Sequence, residues 1–384
     1  MLGALLLCTG CQVYWYIRYL AAPMRRLRKN NDQMVHEQMV NPSGVSVLVS
    51  ARNAGEELEH YLQALLTQDY PEYEVIVVDD GSEDNTRDVI ERYMTQDSRL
   101  HTTFVPKDAR VRSTKKLALT LAAKAARYDY LLLTDADCVP ESNQWISAMM
   151  QGFNDKCQTS IVLGFGAYFY ERGALNRLIR YDTLFNGLHY LGAALCGHPY
   201  MGVGRNLAYR KQLFFETGGF SHLMTNIAGD DDLFVNHVAT AENTAVVLSP
   251  KSYTYSPAKR SWHDWWQQKR RHLSVSPSYR AETKWRLLFE PLTRGLFYAL
   301  VIAMIVYQLP ITNSPEGVQL PILLLVAVIL FLLRWLMQTL IHNLSAHRMH
   351  LHGFGPLAIL GLDIFLPLVN LWMLIVPNRK KKKW

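Results

Sequence analysis

With 384 residues, 49% of them hydrophobic and 19% charged, the chain is long enough for one large domain plus additional elements and too apolar for a disordered or fibrous protein. Much of its net charge of +7 sits beside apolar segments, at 25–29, 269–271 and 379–383, which suits anionic lipid headgroups or a diphosphate and argues against a nucleic-acid groove. Cysteines 8, 11, 138, 157 and 196 match no zinc or disulfide spacing, so free thiols are expected.

Residues 1–22, MLGALLLCTGCQVYWYIRYLAA, supply about one bilayer's length of helix, with Tyr14, Trp15, Tyr16 and Tyr19 toward its far end. Arg25, Arg26, Arg28 and Lys29 open a basic juxtamembrane linker, 23–44, and by the positive-inside rule place residue 30 onward in the cytoplasm. LCTGC resembles a lipoprotein cleavage box ending at Cys11, but no basic residue precedes the apolar run, which continues through Val13 and Ile17; an uncleaved anchor is the better reading.

VSVLVS at 45–50 reads as a strand, followed by Ala51, Arg52, Asn53, Ala54 and an amphipathic helix from Glu56. EVIVV at 74–78 is a second strand, ending in Asp79 and Asp80, and NTRDVIERY a helix capped from Ser82 or Asp84. The helical stretch STKKLALTLAAKAA then runs into LLLTDADC, 131–138, where a buried strand stops at Asp135 and Asp137. Two carboxylates one residue apart at a strand end are placed to share a divalent cation and a phosphate-bearing ligand. Strand and helix alternate, so a mainly parallel sheet with ligands at its carboxyl end is expected. SARNAG is not a dinucleotide-binding glycine turn, and no P-loop is present.

IVLGFGAYFY, 161–170, reads as one strand; 173–195 as a helix against the membrane or in the core; and GHPYMGVGRNLAYR as a glycine-rich stretch allowing close backbone approach. AGDDDLFVNHV, 228–238, places three aspartates at a helix start, where they also complement the dipole. SWHDWWQQKRRHLS is a basic helix with interfacial tryptophans. Residues 287–309 and 320–341 are each long enough to cross a bilayer, with TNSPEG between them outside. Residues 355–377 are apolar too, but Asp363, Pro367 and Asn370 interrupt them and suggest an interfacial or re-entrant path.

VSVLVSARN, VVDDGSEDNT, KKLALT and LLLTDADC, in this order and spacing, resemble a family-two glycosyltransferase over residues 45 to about 275. The resemblance implies an inverting enzyme of the α/β nucleotide-diphospho-sugar transferase fold (GT-A type), with transmembrane helices at both ends. It implies Asp79 and Asp80, with Arg52, at the nucleotide; Asp135 at the ribose; Asp137 as the ligand of a divalent metal, Mg or Mn; and Lys115, or Lys116, as the basic residue. Asp230 aligns with the base, Asp231 is an alternative because Gly229 stands where the family has Glu, and Asp232 is the second acid. Gln268 and Arg271 resemble the Q-x-x-R-W signature of membrane polysaccharide synthases, with His272 in place of Trp.

The expected organisation is an anchor at 1–22, a cytoplasmic catalytic domain at 45–285, a membrane segment of two or three helices at 286–378, and a basic tail at 379–384. The expected function is transfer of a sugar from a nucleotide-diphospho-sugar, UDP-linked, to a hydroxyl of a glycan or polyprenyl-lipid acceptor at a bacterial-type inner membrane. A non-catalytic membrane scaffold that binds nucleotide or glycan is the rival, and acids at each expected station count against it.

Overall fold

The computed structural model describes residues 1–32, 43–106, 111, 113–224, 228–312 and 322–376. Residues 33–42 of the linker expected at 23–44, the TNSPEG turn apart from Thr312, and the basic tail lie outside the described residues. The chain begins with α1, Leu2–Trp15, which opens into a π-helical turn at Tyr16–Leu20 and continues as α2, Ala22–Asp32. There follow β1 (Val45–Ala51), α3 (Gly55–Leu66), β2 (Tyr73–Asp79), α4 (Thr86–Gln96), β3 (Leu100–Phe104), α5 (Thr114–Ala125) and β4 (Tyr130–Asp135). This is the alternation read from the sequence, with β3 added. Asp84, not Ser82, serves the start of α4: its Oδ1 accepts from Thr86 N at 3.1 Å, while Ser82 Oγ accepts from Asn53 N at 2.9 Å.

The second half comprises β5 (Val139–Pro140), α6 (Trp145–Gln151), β6 (Ile161–Leu163), β7 (Gly166–Tyr168), α7 (Ala174–Leu195), β8 (Leu207–Arg210) and α8 (Lys211–Glu216). It continues with α9 (Asp232–Val238), β9 (Thr244–Val246), β10 (Thr254–Ser256), α10 (Trp262–Leu273), α11 (Ala281–Thr312), α12 (Ile322–Arg348) and α13 (Pro356–Ile375). The large sheet runs β3-β2-β1-β4-β8-β6-β9. Its first four strands are parallel, β8 is antiparallel to both neighbours, and β9 is parallel to β6. Register puts Ala51 opposite Asp79 and Ser50 opposite Asp135, so the acidic ends of β2 and β4 flank the end of β1 at one level.

The single strand expected at 161–170 is two strands in different sheets. β6 stays in the large sheet, whereas β7 joins a small sheet of order β5-β10-β7. Asn206 enforces the break: its Nδ2 donates to Phe165 O at 2.9 Å and Ser252 O at 2.7 Å, and its Oδ1 accepts from Trp145 Nε1 at 3.1 Å. A Cβ at Gly164 would stand 2.5 Å from Asn206 Nδ2, so glycine is required there. The glycine-rich stretch 197–210 ends in β8.

α11, α12 and α13 are each long and apolar enough to cross a membrane by length and composition. α1 runs into the π-helical turn at Tyr16–Leu20, and it packs Leu5 and Cys8 against Phe297, Val301, Met304 and Ala327. Asp363 and Pro367 do not interrupt α13. The Asp363 carboxylate receives Arg294 Nη1 and Arg334 Nη1, each at 2.8 Å, and Tyr298 Oη at 2.6 Å. Arg294 in turn pairs with Glu290 at 3.0 Å. Two guanidiniums against two carboxylates leave the buried cluster neutral, which is what an apolar setting demands of ionised groups.

α7 is largely buried and ties the catalytic domain to the N-terminal helix. A Cβ at Gly192 would lie 2.0 Å from the carbonyl oxygen of Tyr19, so only glycine lets α7 approach the π-turn this closely. Gly192→Ala is therefore expected to destabilise the protein by roughly 1–3 kcal/mol, the usual cost of forcing atoms into a packed contact. Gly10→Ala, where nothing lies within 4 Å, is the control; equal melting temperatures for the two variants in detergent would contradict the close-contact account.

Candidate active site

Helix α5 points its first turn across the ends of β2 and β4. Ser113 caps it, Thr114 Oγ1 donates to Asp80 Oδ2 at 2.6 Å, and Arg52 Nη1 lies 3.4 Å from the same hydroxyl and 4.0 Å from that carboxylate. Burial raises the pKa of Asp80, with the Thr114 hydrogen bond opposing it. Asp79 shapes the turn, its Oδ1 accepting from Ser82 N at 2.9 Å. Asn53 holds the facing loop in a left-handed conformation, φ 48°, with its Oδ1 accepting from Glu83 N at 2.8 Å.

One residue along, Lys115 Nζ stands 2.7 Å from Asp135 Oδ1 and 3.3 Å from Asp230 Oδ2. It thus joins the end of β4 to the segment before α9. The surrounding protein disfavours its charge, but Asp135 and Asp230 outweigh that effect and hold the ammonium well above its ordinary pKa. Lys115 remains 39% exposed, so the bridge lines an open cleft. Lys116, the other candidate, faces away and donates to the carbonyl oxygens of Leu223 at 2.9 Å and Ala228 at 2.8 Å, supporting the loop that leads to Asp230.

Asp137 lies in the turn after β4. Ligand atoms of Asp135, Asp137 and Cys138 lie within 4.8 Å of one another, and Cys138 Sγ contacts Asp137 Oδ1 at 3.5 Å. The two carboxyls are driven apart in acidity. Burial pushes both up, but Lys115, aided by Arg205 and Arg271, brings Asp135 below its usual value, whereas Asp135 pushes Asp137 higher still. Hard carboxylate oxygens converging at a strand end fit a Mg- or Mn-like ion.

The three aspartates of GDDDL have different surroundings. Asp230 faces Lys115. Asp231 turns inward and caps α9, with Oδ2 accepting from Gly204 N at 2.7 Å and Oδ1 from Asp232 N at 2.8 Å. Asp232 accepts from Tyr279 Oη at 2.9 Å and from Leu233 N at 2.8 Å. Gly229 has φ +87°, and a Cβ there would approach Leu233 Cδ1 to 2.7 Å. A side chain at this position is strained, which accounts for glycine where the family resemblance expects Glu.

Gln268 reaches the cleft indirectly, its Nε2 3.4 Å from Tyr168 Oη. Arg271 is exposed and makes no side-chain hydrogen bond among the described residues, yet its charge is felt at Asp135. Sequence reasoning missed Thr114 and Arg205. Arg205 stacks 4.3 Å from the centre of the Tyr168 ring, and its guanidinium donates to Gly166 O at 2.8 Å and Ser256 Oγ at 2.9 Å. Both lie inside stretches singled out for other residues, beside Lys115 and Gly204.

A parallel sheet with acids at its carboxyl edge, an acidic pair fit for a metal, and a cation bridging toward a further carboxylate define a nucleotide-sugar transferase class of site. Residues 46–221 match the model described as glycosyl transferase family 2, and residues 135–375 that described as glycosyl transferase family group 2. The second match spans more than half of the chain, which therefore belongs to the family-two glycosyltransferases. The chain is 33% identical over 110 residues to the poly-beta-1,6-N-acetyl-D-glucosamine synthase of Staphylococcus epidermidis, a stretch covering 29% of this chain and 26% of that protein. It is 24% identical over 242 residues to the probable glycosyltransferase YdaM of Bacillus subtilis, covering 61% of this chain and 56% of that one. These matches thus span about a quarter to a little over half of the relatives' lengths. Among solved structures, the mannosyltransferase PcManGT of Pyrobaculum calidifontis, in complex with GDP-Man and Mn2+, shares the fold with a TM-score of 0.51 and 17% identity, covering 93% of this chain and 99% of that one.

Burial first and Asp231 second raise the pKa of Asp232 to about 8, against the Tyr279 hydrogen bond. Raised in the folded state, this carboxyl binds its proton more tightly than in the unfolded chain, so its contribution falls as pH rises from about 4 and levels off above about 8. Asp232→Asn keeps an acceptor for Tyr279 and is expected to flatten the pH dependence of the melting temperature over that window. A slope unchanged from the parent protein would show that Asp232 is not the group responsible.

Proposed function

We propose that this glycosyltransferase is anchored in a bacterial-type inner membrane by helices at both ends, with residues 45–285 cytoplasmic. It transfers a sugar with inversion from a nucleotide-diphospho-sugar, UDP-linked, to a hydroxyl of a glycan or polyprenyl-lipid acceptor in surface-glycan synthesis. The observation that carries this reading is the Lys115 bridge, which holds the nucleotide side, Asp135, and the acceptor side, Asp230, around one ammonium. A module that only bound nucleotide would have no use for the second carboxylate.

Arg52, Asp79 and Asp80 receive the nucleotide, and Asp135 its ribose. Asp137, with Asp135 beside it, would hold the divalent metal, which would supply positive charge to the diphosphate. Lys115 and Arg271 add fixed cations where negative charge grows as the bond between sugar and diphosphate breaks. Asp230 takes the proton from the acceptor hydroxyl as its oxygen attacks the anomeric carbon from the opposite face. A base so placed contributes roughly 10²- to 10⁴-fold. Asp231, with its oxygens committed to Gly204 and Asp232 backbone, builds the helix start rather than acting as base.

Asp230→Asn is expected to retain donor binding and lose transfer by about 10²-fold or more, the pattern of a group acting in the transition state. Purified protein in detergent, assayed for nucleotide release with membrane extract as acceptor, provides the measurement. Asp231→Asn is expected to lower the melting temperature more than the rate per folded molecule; the reverse pattern would move the base one residue along. Chelation of divalent ions is expected to abolish turnover, with recovery on adding Mn or Mg. Full transfer after exhaustive chelation would remove the metal role from Asp137.

A further inference from the structure

Four consecutive side chains of α10 leave the helix in four directions. Gln268 meets Tyr168 Oη at 3.4 Å on the side of the small sheet. Lys269 Nζ meets both carboxylate oxygens of Asp182 on α7, at 2.8 and 2.6 Å. Arg270 donates to the carbonyl oxygen of Val376, the residue that ends α13. Arg271 is exposed and left without a side-chain hydrogen bond among the described residues. Successive residues of a helix are turned by about 100°, so a contact that fixes one of these side chains fixes the rotation of the other three.

The Lys269–Asp182 contact is the most enclosed of the three, with the two side chains 10% and 15% exposed. Asn186 Nδ2 adds a hydrogen bond to Asp182 Oδ1 at 3.1 Å, so the carboxylate is itself oriented by its own helix. That helix is in turn packed closely against the N-terminal π-turn at Gly192. A charge pair in such a setting is strongly direction-specific, because a displaced ammonium loses a carboxylate it cannot replace with water.

We propose that Lys269 and Asp182 are positioning residues of the transfer reaction: their ion pair sets the rotation of α10 so that Arg271 faces the diphosphate and Gln268 faces Tyr168. Neither Lys269 nor Asp182 touches the donor; both act through Arg271. The inference rests on the donor-site reading of Arg271. It also gives α13 a part in the site, since Arg270 grips the end of that helix from the same turn of α10.

A double-mutant cycle separates positioning from general support of the fold. Donor turnover is measured in detergent with purified full-length protein for Asp182→Asn, Arg271→Ala and the double variant, with melting temperatures recorded for each. Asp182→Asn is expected to lower kcat/KM by about tenfold, Arg271→Ala by more, and the double variant to match Arg271→Ala alone, because a misaimed side chain that is already absent has nothing further to lose. The exchange of charges in Lys269→Asp with Asp182→Lys is expected to recover most of the rate lost by either single change. Losses that multiply in the double variant, or an Asp182→Asn rate equal to the parent's, would overturn the inference and leave the donor reading standing. An Arg271→Ala rate equal to the parent's would overturn the donor reading of Arg271 and the inference with it. Should Asp182→Asn not fold, Lys269→Gln takes its place in the same cycle with the same expected outcomes.

Discussion

The cleft depends on one ammonium held between two carboxylates that the sheet and the α9 segment bring together. Because Lys115 Nζ is 2.7 Å from one acid and 3.3 Å from the other, the two oxygens are no more than about 6 Å apart. Two like charges at that distance repel by roughly 3 kcal/mol at an effective dielectric near 20. Lys115 turns that repulsion into attraction on both sides and, still partly open to solvent, keeps the space between them accessible to a ligand. The parallel register of β1 with β2 and β4 explains why the other acids stand within the same opening.

The segment before α9 illustrates how one short acidic run divides its labour. Gly229 takes a backbone conformation that a side chain would strain, which swings Asp230 toward Lys115 while its neighbours turn to the protein. Asp231 binds backbone N–H groups and Asp232 binds Tyr279. Lys116 supports the approach to this segment through the carbonyls of Leu223 and Ala228, so adjacent lysines of α5 serve the cleft and its supporting loop respectively.

The apolar C-terminal helices are coupled to the rest of the chain by charge and by close packing. The neutral cluster of Glu290, Arg294, Arg334 and Asp363 fastens α11, α12 and α13 to one another, and Gln12 of α1 joins it through Arg334 Nε at 3.2 Å. Gln338 of α12 donates to Tyr181 of α7 at 3.1 Å, carrying the same network to α7. An aspartate that looks in sequence like a break in an apolar segment is in the fold the partner of two arginines.

The sequence by itself determined the alternating strands and helices up to β4 apart from β3, the acidic strand ends, the class of chemistry and the apolar character of the last third. Local periodicity, strand-end position and motif order are properties of neighbouring residues, so they survive without coordinates. Only the tertiary structure decided that Lys115 and not Lys116 enters the cleft, that Asp230 and not Asp231 faces it, and that 161–170 divides between two sheets. Each depends on a partner distant in the chain: Asp135 and Asp230 for Lys115, Gly204 for Asp231, and Asn206 for the break at Gly164. The same holds for α13, where Asp363 reads as an interruption until Arg294 and Arg334, far away in sequence, are brought against it and its charge is neutralised.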